Sequence, residues 1–132
     1  MALQYAVDLR NAQLDQIEAI LGTSPILRIR SGAPPASVAT ADSGTVLVEM
    51  TLPSDWMAAA SNGSKAKSGT WEDTAADAGG IAGHFRIYTS GGVAKLQGTV
   101  GESGADMIID NTDINAGQPV SVTSFSISAG NA

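Results

Sequence analysis

Two hydrophobic periods divide the chain. From Leu3 to Leu21 there is neither Pro nor Gly, and the apolar positions Leu3, Val7, Leu14, Ile17 and Leu21 recur at steps of four and three, with Arg10 in the one slot that is not apolar. That spacing predicts one amphipathic helix carrying a short heptad seam, closed by Gly22, which takes a left-handed C-cap conformation readily. Ile20 widens the stripe. A lone helix of this length is marginal in water, so the stripe must be covered. Two covers are open at this point: the chain's own sheet, or the same seam on a neighbouring copy.

Beyond Gly22 the pattern switches to alternation. Leu27 and Ile29 fall on one face of an Ile26–Arg30 strand and Arg28 and Arg30 on the other, before Pro34 and Pro35 break regular structure and leave 33–43 as a loop. Thr45 to Leu52 carries the strongest strand signal, with Val46, Val48 and Met50 alternating against Leu47 and Glu49. Pro53 to Ala60 predicts one or two helical turns N-capped by Ser54, with Trp56 and Met57 plugging one end of the core. The stretch from Ser61 to Gly83, rich in Gly, Ala, Ser and Asp, offers one short strand at Lys67 to Trp71. His84 to Ser90 and Val93 to Val100 predict a hairpin about Gly91 and Gly92. Further strands are expected near Asp106 to Asp110 and from Pro119 to Ser128. In the last, Val120 and Val122 alternate out of phase with Phe125 and Ile127, which predicts a β-bulge between them.

These elements predict a mainly β protein, an antiparallel β-sandwich or flattened barrel with one N-terminal α-helix. The expected organisation is an assembly helix over residues 1–22 and a β-sandwich domain over residues 23–132. A chain of 132 residues can bury roughly two-thirds of its unfolded surface, so a core is feasible although cysteine is absent and no disulfide can help. Aromatics make up only 5% of the residues against 43% hydrophobic, so the core must be mostly aliphatic.

Charge narrows the partners. The net charge is −6 and the seven Lys and Arg residues are scattered, which argues against nucleic acid. Up to Ser31 the charges cancel, Arg10, Arg28 and Arg30 against Asp8, Asp15 and Glu18, so the acidic excess lies in the β-rich body. No run approaches the ~20 apolar residues of a membrane span. The N-terminus lacks the basic start and apolar centre of a signal peptide, and the expectation is a soluble chain made in the cytoplasm, without a membrane partner.

Candidate chemistry is sparse. His84 is the single histidine, alternates with Arg86 and Tyr88, and reads as structural or surface. No nucleophile–base pair, phosphate loop or dinucleotide fingerprint occurs, so the expectation is no catalytic residue, no cofactor and no metal. Glu102, Asp106, Asp110 and Asp113 lack the spacing of a calcium loop and read as turn formers. Asn62-Gly63-Ser64 reads as a turn. Trp56 and Trp71 could line a ligand groove, although packing in the core or at a subunit interface is the preferred reading.

The stretches Leu9-Arg10-Asn11-Ala12, Arg30-Ser31-Gly32-Ala33-Pro34-Pro35, Ala41-Asp42-Ser43-Gly44-Thr45, Leu52-Pro53-Ser54-Asp55-Trp56-Met57, Gly83-His84-Phe85-Arg86-Ile87-Tyr88, and Asp110-Asn111-Thr112 with Ser124-Phe125 resemble small virion structural proteins of tailed bacteriophages and prophages. The resemblance covers nearly the whole chain and carries no catalytic residues. It implies a non-enzymatic virion protein made in the host bacterial cytoplasm: a head decoration (cement) or head-fibre-base protein bound to the capsid, or a tail component. Its partners are then itself, as a homotrimer, and other virion proteins, with Leu3, Val7, Leu14, Ile17 and Leu21 as the expected oligomer interface. The alternative is a tail or fibre module that recognises a host-surface glycan.

Overall fold

In the computed structural model, which describes residues 3–129, the protein is mainly β, with one N-terminal helix and a strongly curled mixed sheet that forms a half-barrel. Helix α1 spans Val7–Leu21. The strands are β1 (Ile26–Ser31), β2 (Val46–Thr51), β3 (Ser64–Ala66), β4 (Glu72–Asp73), β5 (Gly80–Tyr88), β6 (Ala94–Gly101), β7 (Met107–Ile109), β8 (Asp113–Ile114) and β9 (Val120–Ser128). Their spatial order is β2-β1-β5-β6-β7-β9-β3, with β4 added to β9 and β8 added to β5.

The sheet departs from the expected all-antiparallel arrangement at one place. β6 and β7 run parallel, Val100 opposite Met107. The cause is local: the Asp106 carboxylate accepts from the Thr99 amide at 3.0 Å, and the Asp106 amide donates to Thr99 Oγ1 at 3.1 Å. These side-chain bonds stand in for a ladder rung and close the loop 102–106 back on β6.

Alternation sets most of the core as expected, although in β2 Leu47, on the other face, is also fully buried and Val46 only partly. Leu27 and Ile29 of β1, Val48 and Met50 of β2, and Phe85 and Ile87 of β5 point inward and are buried. The phase slip in β9 is a bulge: Ser124 opposes Ile108 and Val122 opposes Ile109, leaving Thr123 extra and exposed. Asn62 and Gly63 both have positive φ, 52° and 72°, and form the two-residue turn between Ser61 and Ser64.

Three expectations fail. No helix forms at Pro53 to Ala60; the backbone there pairs instead with the chain at 66–68, through Ala58 N to Ala66 O and Ser68 N to Trp56 O. Cross-strand pairing satisfied those amides and overrode local propensity, yet Trp56 and Met57 still fill the core. Lys67 to Trp71 is not one strand, because pairing with β9 ends near Lys67 and resumes at Glu72. The helix begins at Val7, not Leu3; Ala6 is extended and offers no side-chain cap.

Aromatic side chains form a continuous spine in the aliphatic core. Trp56 meets Trp71 at 6.0 Å between ring centroids, Trp71 meets Phe125 at 5.6 Å, and Phe125 meets Phe85 edge-on at 5.5 Å. The spine ties the chain around β3 and β4 to β9 and β5. Trp71→Ala is therefore expected to lower the unfolding free energy by about 3–5 kcal/mol, measured by urea denaturation; a loss below ~1 kcal/mol would show that the spine is dispensable.

Candidate functional site

The sequence offers no catalytic constellation, so the surfaces most able to act are the ones where the helix and the long loop meet the sheet. Helix α1 is bound by polar contacts at its middle. Asp15 and Glu18, three residues apart, share a helix face, and the Lys65 ammonium sits between them at 2.7 and 2.8 Å. The Lys65 side chain is only 1% exposed. Desolvation pulls the lysine pKa down, but its bonds to Asp15 and Glu18 outweigh that and leave it raised. The hydrogen bond from Lys65 in turn holds the Asp15 carboxyl below its ordinary range.

Three further bonds position the helix. Arg10 Nε donates to the Ala129 carbonyl at 2.6 Å, the Gly63 amide donates to Asn11 Oδ1 at 2.9 Å, and Trp56 Nε1 donates to the Gly22 carbonyl at 3.0 Å. A Cβ at Gly63 would run into the Arg10 guanidinium, so this contact requires glycine.

This docking splits the expected interface. Leu14 and Leu21 are buried beneath the helix at 2% and 3% exposure, and Ile17 packs partly on the core. Leu3 and Val7 stay open at 59% and 47%. Every residue from 3 to 9 is exposed, and Tyr5, Leu9 and Ile20 add to the apolar surface.

The second polar assembly lies on the outer face of β1 and β5. Arg28 of β1 stands directly opposite Arg86 of β5, a like-charge pair that needs counter-ions. Arg28 turns to Glu49 at 2.6 Å and lies 4.7 Å over the Tyr88 ring. Arg86 turns to Asp42 on the loop between β1 and β2. Asp42 Oδ1 accepts from Arg86 Nη1 and from the Tyr88 hydroxyl, both at 2.8 Å, while Oδ2 accepts from Arg30 Nη2 at 3.1 Å. Arg86 also donates to the Ser37 carbonyl and to Gln97 Oε1, and Gln97 donates to the Pro35 carbonyl. One carboxylate thus folds the Pro-rich loop onto a strand face that would otherwise be a row of cations. Partial burial raises the Asp42 pKa, but the Tyr88 hydrogen bond and the Arg30 and Arg86 charges outweigh it and leave it lowered.

An open groove of about 520 Å³ adjoins this lock, between residues 38–42 and the β5–β6 turn. Each nitrogen of its one guanidinium, Arg86, already donates to a protein acceptor. His84 is buried and its Nδ1 donates to the Gly32 carbonyl at 2.8 Å, which fixes the proton on that nitrogen. Trp56, Trp71 and Tyr88 are 0–2% exposed and present no ring face to solvent. Glu102, Asp106 and Asp110 accept backbone hydrogen bonds from Thr112, Thr99 and Ser121, which lie 10, 7 and 11 residues away, so they tie separate segments together and do not form the local turns expected of them, and Asp113 lies in β8. Among the described residues no group of three or more His, Cys, Asp or Glu could hold a metal, and no helix is long and apolar enough to cross a membrane. Comparison of the chain with protein-family models, curated proteins and solved structures finds no match.

The Asp42 lock was not anticipated, although a signal was present: Arg28, Arg30, His84, Arg86 and Tyr88 share the outward face of two strands in an acidic chain. Asp42→Asn is expected to cost about 2–4 kcal/mol, because two buried guanidiniums lose their counter-charge, and to expose the 33–43 loop to limited proteolysis. Unchanged stability and proteolysis would refute the lock.

The pKa shifts also set a pH window. The stability from the lowered Asp42 is present above its ordinary value of 3.8 and is lost as pH falls through the folded value below it. That from the raised Lys65 is present below 10.5 and is lost as pH rises through the folded value above it. Thermal unfolding should therefore show a plateau between these limits, with the acid limb flattened in Asp42→Asn and the alkaline limb in Lys65→Met.

Proposed function

We propose that this chain is a non-enzymatic virion structural protein of a tailed bacteriophage or prophage, a homotrimeric head decoration or head-fibre-base protein bound to the capsid. The observation that carries this reading is the exposed apolar N-terminal segment, in which Leu3, Val7 and Leu9 are 59%, 47% and 49% exposed. The resemblance of the sequence to phage virion proteins supplies the setting. A flattened barrel fits the same reading, since the half-barrel gives a stiff body from which an assembly segment projects.

Magnitudes bear on how such a segment works. Burying a Leu or Val side chain contributes about 1.5–3 kcal/mol, while association costs about 4–15 kcal/mol in lost freedom. Three such side chains per copy bring the gain into the range of the cost, so stable assembly draws on contacts beyond the segment. The Arg86 guanidinium and the Tyr88 hydroxyl at the open groove are engaged with the protein itself, which supports a structural role over a catalytic one. A tail or fibre module that recognises a glycan is the weaker reading, because the aromatic rings that could stack on a sugar are buried.

Native mass spectrometry of the purified chain and proteomics of purified particles test the proposal. A homo-oligomer that co-purifies with particles is expected; a strict monomer absent from particles would end it. Leu3→Asp with Val7→Asp should reduce the oligomer to monomer with unchanged β-sheet circular dichroism. Leu14→Asp should instead lose both, since Leu14 is covered by the chain's own fold.

A further inference from the structure

The half-barrel is left open along one line. β7 is three residues long and bridges β6 and β9 only at Val100–Gly101 and at Val122–Phe125. Beyond it, among the described residues, no strand lies between β6 from Ala94 to Gln97 and β9 from Ser126 to Ser128. Backbone directions show that both edges are presented to this gap. The Thr99 amide turns outward to Asp106, so by strand alternation the amide and carbonyl of Gln97 point the same way. On β9, the Phe125 carbonyl accepts from Lys67 and the Ala129 amide donates to Gly63, both at 2.9 Å and both towards β3. Ser126 and Ser128 therefore face the gap.

The gap is a cleft of about 370 Å³ of mixed lining, in which Phe85, Phe125, Leu96, Ile127 and Ile17 supply the apolar part and Gln97, Asp106 and the two serines the polar part. It shares Ile17 and Leu96 with a second groove of about 350 Å³ between α1 and β6, where Ile20 is 63% exposed. A slot with unpaired backbone on both sides and a partly apolar lining suits an added β-strand.

The chain carries a segment of that kind. Leu3, Tyr5, Val7 and Leu9 alternate with Gln4, Ala6 and Asp8. On a helix these four apolar residues scatter around the axis; on a strand all four share one face. Ala6 is already extended, and the first helical turn begins without a side-chain cap, its Arg10 amide bonded to Ala6 O at 3.1 Å. That turn therefore lacks the stabilisation a capping side chain gives, although Asp8 accepts from the Leu9 amide. Lys95, in the adjoining groove, has no hydrogen-bond or ion-pair partner among the described residues, while the cleft itself carries Asp106, whose carboxylate is engaged by Thr99.

We propose that residues 3–9 of one copy add as a strand in the cleft between β6 and β9 of the next copy. This rests on the homo-oligomer reading above and names the contact that makes it. The chain's own segment is poorly placed to fill its own cleft, because Arg10 and Asn11 anchor the helix and residues 3–9 continue away from Ile17 beyond that anchor. Such an exchange is head-to-tail, and it closes into a ring where the rotation between copies allows.

Replacing Tyr5 by p-benzoylphenylalanine tests this without assuming a register. Isotopically light and heavy chains are mixed under native conditions, irradiated and mapped by mass spectrometry. Cross-links between light and heavy chains, falling on residues 94–97 or 126–128 and abolished with the oligomer in Leu3→Asp/Val7→Asp/Leu9→Asp, are expected. Cross-links confined within one chain, or joining chains at other surfaces of an intact oligomer, overturn the strand exchange and leave the homo-oligomer reading standing. A monomeric native mass with no cross-link between chains overturns both.

Discussion

A sheet that curls without closing has an apolar interior open on one side and strand edges with unpaired amides and carbonyls, and both cost free energy in water. This constraint organises the molecule. Helix α1 answers the first half of it by laying Leu21 and Ile17 against the core. The second half is answered only in part, since β7 closes the gap between β6 and β9 for three residues and stops.

The helix cannot hold its place by hydrophobic burial alone, because only part of its stripe reaches the core. The buried Lys65 ammonium between Asp15 and Glu18 supplies the direction. A buried charge is weak evidence for stability by itself, but it penalises any arrangement that leaves it unpaired, and so selects one docking pose. Asp42 does the same on the opposite face, where it converts a row of cations into the seat of the Pro-rich loop. Strand β5 is consequently buried on both faces from His84 to Tyr88, apolar inward and polar outward.

A body fastened in this way is stiff, and its readily available surface for association is the apolar N-terminal segment with the cleft beside α1. Polar side chains are spent on holding loops and the helix, which leaves shape and edge pairing as the means of recognition.

Periodicity alone determined the helix, most of the strands, the inward faces of β1, β2 and β5, the hairpin at Gly91-Gly92 and the bulge in β9, because each depends on side chains that alternate within one segment. The heptad seam was legible as a stripe, but not its division: whether Leu14 or Val7 is covered depends on where Gly63, Lys65 and Ala129 meet the helix, and those residues lie far away in sequence. The same holds for Pro53 to Ala60, where pairing with residues 66–68 overrode a helical pattern, and for the parallel β6–β7 pair, set by Thr99 and Asp106. In the lock, Asp42 bonds residues up to 46 positions away. Tertiary structure decided these because long-range hydrogen bonds and counter-charges act between segments, whereas a sequence pattern reports only the burial preference within one.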